Sequence, residues 1–168
     1  MNGSLQFATL STSWGVFGFV ARNGRLVATF LPRNKERVAD MIRKAFPLAV
    51  ENPKLLPAFQ KQLGEYFAGK AVRFSVDIDL ADAPPFHRSV LAACRRVDYG
   101  QTVSYGQLAR KVGNPRAARA VGQAMARNPL PLVVPCHRVL HSDETLGGFS
   151  SPGGLSEKEK MLRLEGAW

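Results

Sequence analysis

Hydrophobic and polar positions alternate at the start of the chain. The alternation around Phe7 has the two-residue period of a strand. Two further apolar runs, residues 16–21 and 26–31, flank the pair Asn23 and Gly24. An Asn-Gly pair between apolar runs is typical of a type I′ turn, in which both central residues have positive φ. The pattern therefore predicts a strand followed by a β-hairpin.

The apolar positions then change to a helical spacing. Residues 38–46 carry apolar side chains on one face of a predicted helix, and a second helix is predicted over 56–67, with Gly69 as its C-terminal cap. Apolar residues alternate again over 72–80, which predicts a half-buried strand. These elements predict an α/β (α+β) fold whose N-terminal domain, residues 1–83, holds an antiparallel sheet plus helices.

A proline-rich segment, residues 82–85, is the predicted linker to a mainly helical C-terminal domain of residues 84–168. The helix that follows runs to about Val97. Cys94 falls on the apolar stripe of this helix, so it is interpreted as a core residue.

Two short helices come next in the C-terminal domain. Ser104 and Gln107 have the spacing of a capping box, in which each side chain bonds the other residue's backbone amide. Asn114 is the predicted N-cap of the second helix, residues 116–127, and Pro115 its first residue. Two short helices joined by a tight turn resemble a helix-turn-helix, although many such corners bind nothing.

The chain then brings a cysteine out of an apolar run. Residues 132–134 are predicted to form a short buried strand or an extended segment, and Pro135 restricts the backbone directly before Cys136. His137 and Arg138 follow and supply a base and a positive charge, the surroundings that turn a thiol into a nucleophilic thiolate. The alternative is a cysteine that only packs, as most buried cysteines do.

Glycine and capping signals shape the end of the chain. Residues 147–154 form a glycine-rich loop, and 156–159 have the pattern of a second capping box that opens a last helix. Glu165 falls near the C-terminal end of this helix, where the helix dipole disfavours a carboxylate. Either Glu165 is an exposed acid or a partner holds it, and His137 is the candidate partner.

The charge distribution indicates a polyanionic partner. The net charge is +10, and residues 84–138 alone carry eight Arg and one Lys against one acid. Basic side chains that bind phosphates release counterions, so this balance favours nucleic acid. The two cysteines do not form a disulfide framework, and the sequence has no secretory signal or long apolar run. A cytoplasmic protein that is not inserted in a membrane is therefore expected.

The segment Pro135-Cys136-His137-Arg138-Val139, preceded by Asn128 and Pro129, resembles the alkyl-acceptor site of the O6-alkylguanine-DNA alkyltransferases. The resemblance extends over residues 85–166. It implies direct, irreversible transfer of an alkyl group from O6-alkylguanine in DNA to Cys136 after base flipping, once per molecule. O4-alkylthymine is a second candidate substrate. No cofactor and no metal are expected.

The resemblance also implies roles for particular residues. Asn128, Cys136, His137 and Glu165 match the hydrogen-bonded chain of the family, in which Glu165 orients His137 and His137 takes the thiol proton through a water. Asn128 braces the elements that carry them. Tyr105 matches the phenol that protonates the leaving purine at N3.

Further positions match the family's contacts with DNA. Arg119 corresponds to the arginine that fills the gap left by the flipped base, and Gly122 lies on the slim second helix, which the family places in the minor groove of double-stranded DNA. The groups that would recognise the guanine edge are Ser150 and the backbone near Cys136 and Val139, and those that would contact phosphate are Asn114 and Ser142. A monomer is expected, with cooperative binding along DNA left open.

Two departures from the family pattern stand out. Phe149 replaces a tyrosine that relatives often have in the binding loop, so no hydroxyl contact is available there. His87 replaces a small hydroxyl residue at a DNA-facing position of some relatives.

Three other functions fit part of the sequence. A Cys-His hydrolase would leave the helix pair and the arginines unexplained. A non-catalytic protein that binds alkylated DNA is the main alternative, although such relatives lack the acceptor cysteine that Cys136 provides here. A transcriptional regulator would need a sensor or dimerisation segment, and none is evident in the sequence.

Overall fold

The computed structural model describes residues 3–147, 149 and 153–168. The chain divides into two compact units, the first ending at Ala81 and the second beginning at Asp82.

The first unit is built on a four-stranded sheet in the order β3-β2-β1-β4. Its strands are β1 (Leu5–Thr12), β2 (Gly15–Arg22), β3 (Arg25–Arg33) and β4 (Val50–Glu51). The first three pair antiparallel, as expected, whereas the short β4 pairs parallel with β1. Asn23 and Gly24 have φ values of 51° and 76°, which confirms the predicted hairpin turn.

Two helices cover this sheet, α1 (Lys35–Ala45) and α2 (Pro57–Phe67). Helix α1 begins at the Asn34 cap, whose side chain accepts a hydrogen bond from the Arg37 amide. Both helices agree with the predicted positions. The core of the unit includes buried aromatic rings from β2 and α2 in edge-on contact, among them Phe17, Phe19 and Phe59.

The prediction of a strand over residues 72–80 is wrong. The segment touches the sheet through one isolated bridge, in which Leu26 of β3 exchanges two backbone hydrogen bonds with Asp77 and Asp79. Farther upstream, the Gln62 side chain bonds the Arg73 carbonyl and the Ser75 amide. Backbone groups in the first half of this stretch therefore bond a side chain of α2, and those around Ile78 bond strand β3.

The second unit is mainly helical, as predicted. Its elements in chain order are α3 (Pro85–Arg95), β5 (Val103–Ser104), α4 (Tyr105–Lys111), α5 (Ala118–Ala126), β6 (Val139–Leu140) and α6 (Gly154–Leu164). The two short strands pair parallel. The core contains fully buried Leu108, Val121 and Leu162, together with Cys94, which confirms the assignment of Cys94 to the interior.

The first predicted capping box is confirmed and the second is wrong. Ser104 and Gln107 exchange both hydrogen bonds at the start of α4. The last helix begins at Gly154, two positions before Ser156, and the Ser156 hydroxyl donates to the Gly153 carbonyl instead of capping. The predicted loop over 147–154 is accordingly shorter at its C-terminal end.

The predicted N-cap at Asn114 is also wrong, because α5 begins at Ala118. The Ala117 amide donates to the Asn114 carbonyl at 3.0 Å, so residues 114–117 form a turn before the helix. Asn114 therefore makes no side-chain cap, and the helix starts two residues later than the predicted Arg116.

Residues 132–134 form a turn rather than the predicted strand. Leu132 has a φ of 79°, and the Val134 amide donates to the Leu130 carbonyl at 2.8 Å. Pro131 lacks the N–H that a strand ladder would use, and a residue in the left-handed region reverses the chain. The interior position of the run is nevertheless as expected, since all three residues are buried.

Candidate active site

A pocket of about 550 Å³ opens beside Cys136 in the second unit. Helices α4 and α5, the Cys136 turn and the following loop all contribute to its wall. The lining residues are Tyr105, Ala118, Arg119, Gly122, Met125, Ala126, Cys136, His141 and Phe149. Four residues predicted to take part in function, Tyr105, Arg119, Gly122 and Cys136, therefore share one cavity.

Cys136 is held on a rigid support. It begins a 3₁₀ turn, Cys136–Arg138, and its amide donates to the Val134 carbonyl at 2.8 Å. Asn128 fixes the preceding bend, because its amide group donates to the Val134 carbonyl and its oxygen accepts from the Leu130 amide. The Cys136 residue is only 6% exposed, and it lines the pocket.

The Cys136 thiol is protonated at rest. Burial raises its pKa above the ordinary value, while a hydrogen bond from Asn128 and the positive charge of Lys158 act in the opposite direction without reversing the shift. Neighbouring positive charge alone is therefore not enough to ionise this sulfur. A nucleophilic thiolate at this position requires a base.

The candidate base that follows Cys136 in the chain, His137, is completely buried. Its Nε2 lies 2.8 Å from Oε1 of Glu165, the residue that ends α6. Burial opposes ionisation of Glu165, but hydrogen bonds from His137 and Arg138 outweigh it and lower the Glu165 pKa to about 2. An ionised carboxylate only accepts hydrogen bonds, so Nε2 carries the imidazole proton.

The second nitrogen of this imidazole is available to accept a proton. Within the described residues, Nδ1 of His137 is a buried side-chain atom that has no hydrogen-bond partner. Burial lowers the His137 pKa more than the hydrogen bond to Glu165 raises it, so the ring is neutral at pH 7. A neutral imidazole with Nε2–H has its basic lone pair on Nδ1.

Lys158 of α6 adds a buried positive charge to the site. Its ammonium donates to the Val139 carbonyl at 2.6 Å and lies 6.0 Å from the centre of the Tyr105 ring. Burial lowers the Lys158 pKa to about 8, against the opposing effect of a Cys136 charge. The ammonium therefore stabilises negative charge on Cys136 at pH 7.

Tyr105 opens α4 and faces the pocket with its ring against His141, the centroids being 5.4 Å apart. Burial raises the pKa of the Tyr105 hydroxyl, and negative charge on Cys136 would raise it further. The hydroxyl therefore keeps its proton and can donate it. A Cβ at Gly147 would lie 3.0 Å from this hydroxyl and 3.1 Å from Nε2 of His141.

Helix α5 presents small residues to the pocket, namely Ala118, Gly122 and Ala126, and carries the exposed side chain of Arg119. Side chains this short let a helix approach a ligand or a groove closely. Arg119 lies on the pocket wall, where its guanidinium can contact phosphate or a base.

The remaining predicted contacts lie outside the pocket lining. Asn114 and Ser142 are exposed on the second unit, which suits contact with phosphate. The Val139 carbonyl already accepts a hydrogen bond from Lys158. Ser150 lies outside the described residues. His87 lies on α3 and packs its ring against Phe86.

Sequence analysis missed three residues of the site. Arg138 was interpreted only as nearby charge, Lys158 only as part of a capping box, and His141 was not considered. The signal for Arg138 was its place beside the reactive pair, because a buried guanidinium needs an anionic partner. No local pattern marks Lys158, which looks like one of several charged residues on α6.

Metal-ligand clusters and membrane-spanning helices are both absent from the part of the chain that the structure describes. No three His, Cys, Asp or Glu side chains come together there as metal ligands. None of the helices there is long and apolar enough to cross a membrane.

Comparison with known proteins places this geometry in a family. Residues 85–167 match the model of the 6-O-methylguanine DNA methyltransferase DNA-binding domain. A methylated-DNA–protein-cysteine methyltransferase of Methanosarcina acetivorans is 44% identical over 119 residues, which are 70% of this chain and 74% of the relative. One from Mycolicibacterium paratuberculosis is 44% identical over 115 residues, 68% of each chain.

Solved structures agree with this result. The Mycobacterium tuberculosis OGT in complex with DNA has a TM-score of 0.81 at 31% identity, covering 96% of this chain and 93% of that one. The O6-methylguanine-DNA methyltransferase of Pyrococcus kodakaraensis has a TM-score of 0.70 at 26% identity, covering 96% and 99%. The chain belongs to the family of methylated-DNA–protein-cysteine methyltransferases, which confirms the resemblance found in its sequence.

Proposed function

We propose that this protein repairs DNA by transferring the alkyl group of an O6-alkylguanine to the sulfur of Cys136. The observation that carries the proposal is the placement of Cys136 in a pocket that also holds Tyr105 and Arg119. A nucleophile, a proton donor and a cation then face one bound base. The family's members are named for this reaction, and one of them was crystallised with DNA.

The base must leave the duplex to reach the sulfur. A cavity of about 550 Å³ has the size of a small-molecule site, which in proteins is about 300–1,000 Å³. The small residues of α5 support close approach to the minor groove, and Arg119 on the pocket wall would occupy the space that an everted guanine leaves. Unstacking a base requires a few kcal/mol and is easier for a poorly paired lesion, which favours damaged sites.

The proton of the thiol must be moved before the sulfur can attack. The unpartnered Nδ1 of His137 supports a role as its acceptor, directly or through a water, and Glu165 fixes the ring that accepts it. The Lys158 ammonium and the Asn128 amide stabilise the resulting thiolate. This is the relation of nucleophile, base and orienting carboxylate that hydrolytic triads use.

The transfer itself is a displacement at the alkyl carbon. A lone pair of the Cys136 sulfur forms the S–C bond while the bond between that carbon and guanine O6 breaks, and its electron pair remains on the purine. Tyr105 donates a proton to the purine at N3 and regains one from the site, so the proton that left the thiol balances the one gained by guanine. The thioether has no exchange chemistry that would release it, and each molecule acts once.

The test is incubation with duplex DNA that contains O6-methylguanine, followed by intact-mass spectrometry and peptide mapping. One added methyl group is expected on Cys136, with one equivalent of DNA repaired. Cys136→Ala should bind the DNA and gain no mass. Cys94→Ala is the matched control, since Cys94 is buried in the core and should not be needed for transfer.

Three outcomes would contradict the proposal. The first is DNA binding without any adduct, which would indicate a non-catalytic protein that binds damaged DNA. The second is an adduct on Cys94, and the third is repair of many equivalents of DNA per protein molecule. The same assay with O4-methylthymine decides whether that base is also a substrate.

A further inference from the structure

Arg138 is buried and makes three specific hydrogen bonds, so it does more than add positive charge to the site. Its Nε and Nη2 each donate to one oxygen of Glu165 at 2.8 Å, and its Nη1 donates to the Val97 carbonyl at 2.7 Å. The guanidinium carbon lies 5.9 Å from the centre of the Tyr99 ring, and the Tyr99 hydroxyl donates to the Leu164 carbonyl. Arg138 therefore fixes the plane of the Glu165 carboxylate at the end of α6.

One carboxylate serves two partners. Oε1 of Glu165 accepts from both Arg138 and His137, and Oε2 also accepts from Arg138. The charge of Glu165 is thus already compensated by a permanent cation. An imidazolium at His137 would add a further positive charge to a buried site that also contains Lys158, which is unfavourable in a low-dielectric interior.

We propose that Arg138 is a positioning residue for alkyl transfer, which acts through Glu165 to keep His137 as a neutral imidazole protonated at Nε2 and able to accept the thiol proton at Nδ1. The inference rests on the proposed function and deepens it. Without the guanidinium, the whole carboxylate charge would face His137 and favour the imidazolium, which cannot accept a proton.

The charged groups around His137 give the direction of the effect. They are Glu165 and Lys158 from α6 and Arg138 from its own turn. Burial lowers the His137 pKa, the bond to Glu165 raises it, and Arg138 and Lys158 lower it. Removal of Arg138 therefore raises the His137 pKa, because a nearby positive charge no longer opposes protonation of the imidazole.

The experiment measures single-turnover methyl transfer from pH 5 to pH 9 in the full chain. In the unsubstituted protein, the acid-side midpoint is expected below the ordinary histidine pKa of about 6.5. In Arg138→Met it should move up by about one pH unit, so that the rate falls roughly tenfold below the midpoint and recovers at higher pH. Arg138→Lys, which keeps the charge, should show a smaller shift.

A matched control separates this effect from general loss of an arginine. Arg163→Met removes an exposed arginine of α6 that pairs with Glu159, and its pH midpoint should not change. If Arg138→Met lowers the rate equally at every pH, Arg138 has only a structural role and the proposal is wrong.

A second measurement requires neither catalytic activity nor a substituted protein. The ¹⁵N chemical shifts of His137 in the unsubstituted chain should show a neutral ring with the proton on Nε2 at pH 7. An imidazolium at that pH, or a proton on Nδ1, would overturn the inference. If no methyl adduct forms, the proposed function fails, whereas the ring state is still decided by the spectrum.

Discussion

At the scale of single residues, the site has to ionise a sulfur that its own burial keeps neutral. The raised pKa of Cys136 means that thiolate forms only when a base accepts the proton and a cation stabilises the charge. In the proposed mechanism, His137 and Lys158 supply these two functions from different elements. The division explains why a neutral histidine and a buried ammonium occur in the same site.

Lys158→Met should slow methyl transfer by about 10- to 100-fold at pH 7, as expected for loss of one buried ionic interaction of about 1.5–3 kcal/mol. Because the Lys158 pKa is about 8, its charge is present below that pH and lost above it. The unsubstituted protein should therefore lose rate above pH 8, and the variant should lack this decline. Single-turnover rates across pH measure both effects, and Lys160→Met, on the exposed face of α6, is the control.

Glu165→Gln should lower the free energy of unfolding by about 3 kcal/mol at pH 7, since the Glu165 pKa is depressed from 4.5 to about 2. A depressed pKa contributes stability above the unfolded-state value, and that stability is lost as pH falls through the folded-state value. The difference in the free energy of unfolding between the unsubstituted protein and Glu165→Gln should therefore become smaller as the pH falls from 4.5 to 2. Urea unfolding at several pH values checks it, and an unchanged difference at low pH would contradict the linkage.

At the scale of elements, helix α5 has only small side chains at several positions that face the pocket. Its small residues leave the pocket open beside the ring of Tyr105. A Cβ at Gly122 would meet that ring at 4.0 Å, an ordinary van der Waals distance. The helix therefore has room for one methyl group but not for a branched side chain.

Gly122→Ala should keep methyl transfer close to that of the unsubstituted protein and raise the free energy of unfolding by about 0.5–1 kcal/mol, because alanine loses less backbone freedom in a helix. Gly122→Leu should press on Tyr105 and fill the pocket, reducing transfer at least tenfold. Thermal unfolding and the adduct assay distinguish the two. Equal activity in both variants would show that this wall does not contact the substrate.

The elements also show where local sequence patterns are sufficient. Ser104 and Gln107 defined the start of α4 because a capping box is complete within four residues. Asn114 failed as a cap because residues 114–117 form a turn before α5, and Ser156 failed because α6 already begins at Gly154. The strand predicted for 72–80 failed for a longer-range reason, since pairing depends on which neighbour the fold offers.

Local sequence patterns also identify only part of the candidate site. Cys136 and His137 were found because they are adjacent in sequence and follow an apolar run. Lys158 and Arg138 acquire their roles through α6, which brings Lys158 to the Val139 carbonyl and Glu165 to Arg138. A charged residue on a helix looks solvent-exposed in sequence, and only tertiary packing shows that these two are buried.

At the scale of the whole molecule, the net charge of +10 favours binding to DNA of any sequence. Most of the excess lies within residues 84–138, which also form the helix pair beside the pocket. Affinity for duplex DNA should therefore fall steeply with salt, whereas methyl transfer within a bound complex should change little.

Arg119→Ala should weaken DNA binding. It should also reduce the slope of log affinity against log salt concentration by about one, the value expected for loss of one phosphate contact. Fluorescence anisotropy with duplex DNA at several salt concentrations measures the slope. Arg37→Ala, an exposed arginine of α1 in the first unit, is the control. A slope unchanged by Arg119→Ala would indicate that this side chain does not contact phosphate.

The crowded position at Gly147 limits how the substrate range of such a protein could change. With a φ of 67° and two polar atoms about 3 Å from any added carbon, this residue could not be enlarged without displacing the Tyr105 phenol, which is the proposed acid. Phe149 and Met125 also line the pocket, and both do so with large side chains. Variation in tolerance for bulkier lesions should therefore arise at those two side chains, while the glycine stays the same.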